Sequence, residues 1–349
     1  MSENLVLALF VLLAVLGGAA LVLFARRVRR RGIPAKVSQL LAGNALLLGF
    51  LLTLLLLGGE IYFRFAYDAT DSLAYTKVSE RWGKRHWHVN GAGCRDNIEY
   101  SAAIAPGRRR VSFIGDSFTA GHGIRNIEDR FPNRIRKTHP SWEIHVLARN
   151  GFETGDELEM LESALVKGYQ VDTVVLVYCL NDVADMLPEW SQTIRRICQD
   201  AEGGGWLRKN SYLINTVYFR YRILTDRRLA QYFGFVREAY RGPIWQKQKE
   251  RLRAFRDLVE SHGGHLSVVT FPFLHALGPN YEYRFVHGQL DQCWRELNVP
   301  HLDLLTIYKD LPPKQITVNN FDAHPNEYAN RLAAEALEEF LSPEVRLHR

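Results

Sequence analysis

Four short polar blocks in this sequence hold residue types that do chemistry together. They are Gly115-Asp116-Ser117-Phe118-Thr119, Asn150-Gly151-Phe152-Glu153-Thr154, Leu180-Asn181-Asp182 and Asp322-Ala323-His324-Pro325-Asn326. A serine hydroxyl is a weak nucleophile until a base removes its proton, and an imidazole does this best when a carboxylate fixes its tautomer. Ser117, His324 and Asp322 are the three groups such a reaction needs. Attack on an ester carbonyl also puts negative charge on an oxygen, which must be met by donors. The backbone N–H groups of Ser117 and Gly151, with the side-chain amide of Asn181, can form that oxyanion hole. Asp116, Asn150, His122 shortly after Ser117, and Arg95 in an Asn-Gly-Ala-Gly-Cys-Arg-Asp stretch are further candidates for contact with substrate. Taken singly, each block could equally be a turn or a helix cap.

What sets them apart is where they fall. β-type runs at 110–115, 142–148 and 172–179 each lead straight into one of the first three blocks, and further runs occur at 265–271 and 301–305. The 172–179 run, Asp-Thr-Val-Val-Leu-Val-Tyr-Cys, has the composition of a strand buried on both faces. Helix-type segments lie between them at 129–139, 154–166, 244–262 and 285–297, with a last one at 325–341. This alternation predicts βαβ units and a parallel sheet covered by helices on both faces. Such sheets bind ligands at the carboxyl ends of their strands, which is where the polar blocks fall. The 185–242 stretch breaks the rhythm. It holds Arg195, Arg196, Arg208, Lys209, Arg220, Arg222, Arg227 and Arg228 among aromatics, and predicts a largely helical insertion near the rim of the site. Its role is left open between a lid, a membrane-surface contact and a solvated excursion.

In these residues the chain resembles the SGNH (GDSL-like) hydrolases. The resemblance runs from about residue 108 to the C-terminus, and the motifs keep the family order. Val-Ser-Phe-Ile-Gly-Asp-Ser looks like the first block, with Ser117 as nucleophile. Ala-Arg-Asn-Gly-Phe-Glu-Thr looks like the second, with Gly151 as its glycine. Val-Leu-Val-Tyr-Cys-Leu-Asn-Asp looks like the third, with Asn181, and Phe-Asp-Ala-His-Pro-Asn like the last, with His324. Two departures stand out. Asp322 precedes His324 by two residues where the family's usual spacing is three, and Leu180 replaces a usual glycine. The resemblance implies a three-layer α/β/α, flavodoxin-like domain that works through a serine acyl-enzyme and needs no metal or cofactor.

The N-terminal part has a different character. Residues 5–25 and 37–59 are almost unbroken apolar runs, each long enough to cross a hydrocarbon core of about 30 Å. The 349 residues carry a formal charge of +6 from 44 basic and 38 acidic side chains. Arg26, Arg27, Arg29, Arg30, Arg31 and Lys36, between the two runs, account for all of the excess. A neutral body with one basic cluster between apolar spans is the pattern of membrane topology, and it argues against nucleic-acid binding. The basic loop should stay in the cytoplasm, which puts the rest of the chain on the periplasmic or extracellular side of the cell (inner) membrane. The expected organisation is a transmembrane hairpin at 1–65, a connecting segment at 66–108, and a hydrolase-like domain at 109–349. Cys94, Cys179, Cys198 and Cys293 show no metal-binding spacing, and a Cys198–Cys293 disulfide is one possible pairing.

Together these readings point to an outward-facing, membrane-anchored esterase acting on O-acetyl or acyl groups of envelope or exported polysaccharide. A lipid esterase, an acyltransferase using the same site beside a membrane acyltransferase partner, and a non-catalytic glycan-binding component of an export complex are the alternatives. A histidine base implies activity that rises through about pH 6–7.

Overall fold

The computed structural model describes residues 2–30, 36–187, 192–193, 196–197, 199–200 and 203–342. They fall into two compact units. One comprises Met1–Ala69, Ala74–Trp82 and Cys198–Thr225, and the other Thr70–Leu73, Gly83–Ile197 and Asp226–Arg349. The insertion expected over 185–242 is therefore divided, with its middle part in the first unit and its end in the second. Arg195 and Cys198 lie outside the described residues, as does Arg31 of the basic loop. Cys94, Cys179 and Cys293 are buried free thiols.

The first unit is built on two long helices, α1 (Ser2–Arg30) and α2 (Val37–Ile61). The segments Ser2–Arg30 and Val37–Ala66 have mean hydropathies of 2.9 and 2.4 and are long and apolar enough to cross a membrane. Their leucines point outward, with Leu48 70% and Leu55 71% exposed. This inverts the pattern of a water-soluble helix. The two helices are pinned at one end. Arg64 donates to the Glu3 carbonyl at 2.9 Å and to Asn4 Oδ1 at 2.7 Å, and Lys77 pairs with Glu3 at 2.5 Å.

The second unit is organised by a five-stranded parallel sheet of β1 (Arg109–Gly115), β2 (Trp142–Ala148), β3 (Thr173–Cys179), β4 (His265–Phe271) and β5 (His301–Asp303), in the order β2-β1-β3-β4-β5. Every residue of β3 is buried, as its run of β-branched and aromatic side chains requires of a central strand. This strand order is that of flavodoxin-like sheets. The β1-to-β2 connection runs opposite to the later ones. Right-handed crossovers then put its helix, Phe131–Thr138, on one face and the Thr154–Val166, Pro243–Ser261 and Arg284–Glu296 helices on the other. The final helix, Glu327–Leu341, packs against Phe131–Thr138, so both faces are covered. The chain reverses direction between β1 and β3, and there a crevice forms at the strands' carboxyl ends.

Two details differ from the sequence expectation. The fifth strand stops at Asp303. The segment before the last helix forms an antiparallel pair, β6 (Thr317–Asn319) and β7 (Asp322–Pro325), so the helix begins only at Glu327. Asn326 caps it by accepting from the Ala329 N–H.

One ion cluster ties residues before the sheet to its first layer. The buried Asp96 carboxylate accepts from Arg136 at 2.6 and 3.0 Å and from the Tyr100 hydroxyl at 2.6 Å, and it pairs with buried Arg130 at 3.0 Å. Burial alone would raise Asp96, but the Arg136 hydrogen bonds and the two guanidinium charges hold it below the ordinary carboxylate value. Its contribution to stability is thus present above the unfolded carboxylate pKa and is lost as the pH falls below it. Asp96→Ala leaves two guanidinium groups without their carboxylate and should cost about 3–5 kcal/mol. The check is the midpoint of chemical unfolding followed by tryptophan fluorescence, and an unchanged midpoint would show that the cluster contributes nothing.

Candidate active site

The site lies just past one edge of the sheet. Gly115 pairs with Ala148 of β2 and Val177 of β3, so Ser117, Asn150, Gly151 and Asn181 follow within a few residues of aligned strand ends. Gly115 is required by close approach, since a Cβ there would stand 3.0 Å from the Val177 carbonyl oxygen and closer still to Thr119. Asp116 Oδ1 accepts the Phe118 N–H at 2.8 Å and starts the helical turn Ser117–Ala120, which holds Ser117 at its first position.

His324 reaches this serine from the other end of the chain. Its Nε2 lies 2.8 Å from Ser117 Oγ, and its Nδ1 lies 2.5 Å from Asp322 Oδ1. The spacing of two follows from the backbone. Asp322 and His324 sit on extended strand β7, where alternate residues face the same side. The departure from the family's usual spacing is therefore accommodated by a strand that sequence inspection did not foresee.

The electrostatics follow from burial and pairing. Burial would raise Asp322, yet His324, His122 and the hydrogen bonds from His324 and Thr70 hold it far below the ordinary carboxylate range. Burial would lower His324, but the Asp322 carboxylate and its hydrogen bond outweigh that and raise it above the ordinary imidazole value. Glu157 and Asp182 are buried, and both are pushed well above the ordinary carboxylate range, first by burial and then by a neighbouring carboxylate, Asp116 for Glu157 and Glu157 for Asp182. Their neutral forms are therefore favoured.

His122, a candidate substrate contact in the sequence, is buried beside Asp322. Its Nδ1 lies 2.9 Å from Asn150 Nδ2, which donates to it, so the proton of the neutral ring sits on Nε2. That nitrogen faces the Asp71 carbonyl at 3.1 Å and Asp322 Oδ2 at 3.5 Å. Burial first, and then the neighbouring His324, lower the His122 pKa, which keeps the ring neutral. The second Asp322 oxygen also accepts from the Thr70 hydroxyl. Thr70 belongs to a short strap, Thr70–Leu73, fastened along the β6–β7 pair. Asn319 Nδ2 donates to the Thr70 carbonyl at 3.0 Å, Ser72 N–H to the Phe321 carbonyl at 2.9 Å, and Ala323 N–H to Ser72 Oγ at 2.9 Å. The strap was invisible in the sequence, because an Ala-Thr-Asp-Ser run about 250 residues before its partners carries no spacing signal.

The remaining candidates divide. Asn150 and Gly151 are exposed, and Gly151 has φ +76°, a backbone state that glycine adopts without strain. Among the described residues, the Ser117 and Gly151 N–H groups and the Asn181 amide have no hydrogen-bond partner. Arg95 does not belong with them. It is buried and donates to the carbonyls of His86, Gly121 and Ile124 while stacking on Trp87, so its charge organises loops and does not face substrate. Donor atoms of His122, Asp322 and His324 lie within 4.8 Å of one another, a spacing that could hold a metal ion. In this structure those atoms hydrogen-bond one another, Ser117, Asn150 and the Asp71 carbonyl.

No protein-family model matches the chain, and no curated protein matches it. Solved structures do match. A psychrotrophic esterase from Pseudoalteromonas sp. is 14% identical at a TM-score of 0.43, covering 69% of this chain and 100% of its own. A member of the lipolytic protein G-D-S-L family from Veillonella parvula is 14% identical at a TM-score of 0.43, covering 67% and 99%. An extracellular lipase from Streptomyces rimosus is 13% identical at a TM-score of 0.43, covering 66% and 99%. The chain is similar to ester hydrolases. Likenesses of this degree leave its chemistry to be read from its own residues.

The raised His324 pKa sets the pH dependence of any reaction that uses it as a base. The neutral ring is the active form, so the rate should climb with pH and reach half its plateau above about 6.5, the ordinary imidazole value. Asp322→Asn removes the charge that raises His324 and should move the midpoint to lower pH. The rate of Ser117 modification by a fluorophosphonate, followed from about pH 5 to about pH 9, measures both. A midpoint that ignores Asp322→Asn would remove this pair from the account.

Proposed function

We propose that this chain is a membrane-anchored serine esterase that works through a Ser117–His324–Asp322 acyl-enzyme mechanism. The observation that carries this reading is the continuous hydrogen-bonded line from Ser117 Oγ through His324 to Asp322. Ser117 Oγ attacks the ester carbonyl as its proton passes to His324 Nε2, and Asp322 stabilises the imidazolium. The Ser117 and Gly151 N–H groups and the Asn181 amide receive the oxyanion. His324 then protonates the leaving alcohol, and a water activated by the same imidazole releases the acid. Asp116 and Asn150 position these groups through the helical turn and through His122.

The proposed substrate is an O-acetyl or acyl ester on envelope or exported polysaccharide, on the side of the membrane opposite the basic loop. Two helices of spanning length with outward-facing leucines support a tether. The Arg27, Arg29 and Arg30 cluster in the last turn of α1 supports the orientation. A tethered enzyme meets glycan as it passes through the envelope. An acyltransferase reading shares every residue and differs only in the group that attacks the acyl-enzyme.

Detergent-purified full-length protein should label with a fluorophosphonate, and Ser117→Ala and His324→Ala should each abolish labelling. Asp322→Asn should slow it by about three to four orders of magnitude. Acetate release from O-acetylated polysaccharide, compared with acid release from long-chain esters, assigns the acyl group. A folded protein that neither labels nor releases acid would rule the esterase out.

A further inference from the structure

Glu60, one residue from the end of α2, is an acid at the edge of an apolar helix, and it is fully buried. Its carboxylate accepts from Ser211 Oγ at 2.6 Å and from the backbone N–H groups of Tyr212 at 3.1 Å and Leu213 at 3.0 Å. These donors form the N-terminus of the Tyr212–Thr225 helix, where unpaired N–H groups and the helix dipole favour an anion. The carboxylate at the end of the hairpin therefore fixes where this helix starts.

The level of that start is marked by aromatics. Immediately after α2, Tyr62 and Phe65 are exposed, in the manner of side chains that sit at a bilayer's headgroup boundary. The Tyr212–Thr225 helix buries Tyr212, Asn215, Thr216 and Phe219 on one face. On the other it presents Val217, Tyr221 and Leu224, which are 54%, 64% and 74% exposed. Spacings of four and three place these on one stripe. Trp206, Leu207 and Lys209, just before this helix, are also exposed. The helix that carries this apolar stripe starts on Glu60, where the outward-facing apolar surface of α2 ends.

We propose that the Tyr212–Thr225 helix is an interfacial helix, held by Glu60 with its Val217–Tyr221–Leu224 stripe in the headgroup and acyl boundary of the bilayer that the hairpin spans. This rests on the membrane-anchor reading above. It gives the middle part of the insertion a lipid partner, not a substrate.

The test uses full-length protein carrying Cys198→Ser, reconstituted in mixed phosphatidylcholine and phosphatidylglycerol vesicles. Nitroxide labels are introduced through Val217→Cys, Leu224→Cys, Leu48→Cys as a hairpin reference and Val166→Cys as an exposed reference. Collision with oxygen, which partitions into lipid, is compared with collision with a water-soluble nickel chelate. The 217 and 224 labels should show an oxygen-to-nickel ratio several-fold above that at 166, and Glu60→Leu should bring them down to it while 48 stays high. A water-like label at 48 overturns the anchor and this inference with it. A lipid-like 48 with 217 and 224 water-like, or closed to both reagents, overturns this inference alone. Labels that stay lipid-like in Glu60→Leu overturn the role given to Glu60.

Discussion

The short hydrogen bond between Asp322 and His324 is the contact around which the second unit is arranged. A carboxylate and an imidazole removed from water each lose hydration, and only their mutual attraction and the surrounding donors offset that loss. Asp322 is accordingly surrounded: His324 on one oxygen, Thr70 and His122 near the other. Such an arrangement fixes the ring's tautomer and aims Nε2 at Ser117 without leaving the carboxylate to solvent. The sheet contributes the other half of the geometry, because Ser117 can be met only where β1 ends against β3.

His122 extends this arrangement sideways. Through Asn150 it links the carboxylate to the loop that carries Gly151, so the proposed oxyanion donors and the proposed base share one set of hydrogen bonds. A neutral His122 matters here, since its ring centroid lies 4.4 Å from that of His324. A second positive charge at that distance would work against an imidazolium forming on His324.

The sheet was legible because its strands are short apolar runs that end in polar blocks, and each lies within two residues of its expected bounds. The roles of Ser117, Gly151 and Asn181 could be suggested because their blocks follow those strands in order, and that of His324 because its block stands before the last helix with an aspartate close by. Arg95 misled because an arginine in a glycine-rich loop looks the same whether it faces solvent or a ring of backbone carbonyls. Thr70 and the burial of His122 could not be read, since both depend on contacts between segments far apart in sequence. The β6–β7 pair escaped for a related reason: three- and four-residue strands rich in Asn, Asp and Pro carry almost no periodic signal.

The strap has a further consequence. Thr70–Leu73 belongs with the sheet, yet the residues on both sides of it belong with the hairpin unit. The chain thus passes from the first unit into the second and back again before it enters the sheet. A cut in the chain after the strap, anywhere from Ala74 to Trp82, would sever the donor to Asp322 from the covalent chain that carries Ser117 and His324. Trimming the chain back to Gly83, where the second unit resumes, would therefore discard a hydrogen bond to the carboxylate along with the two long helices.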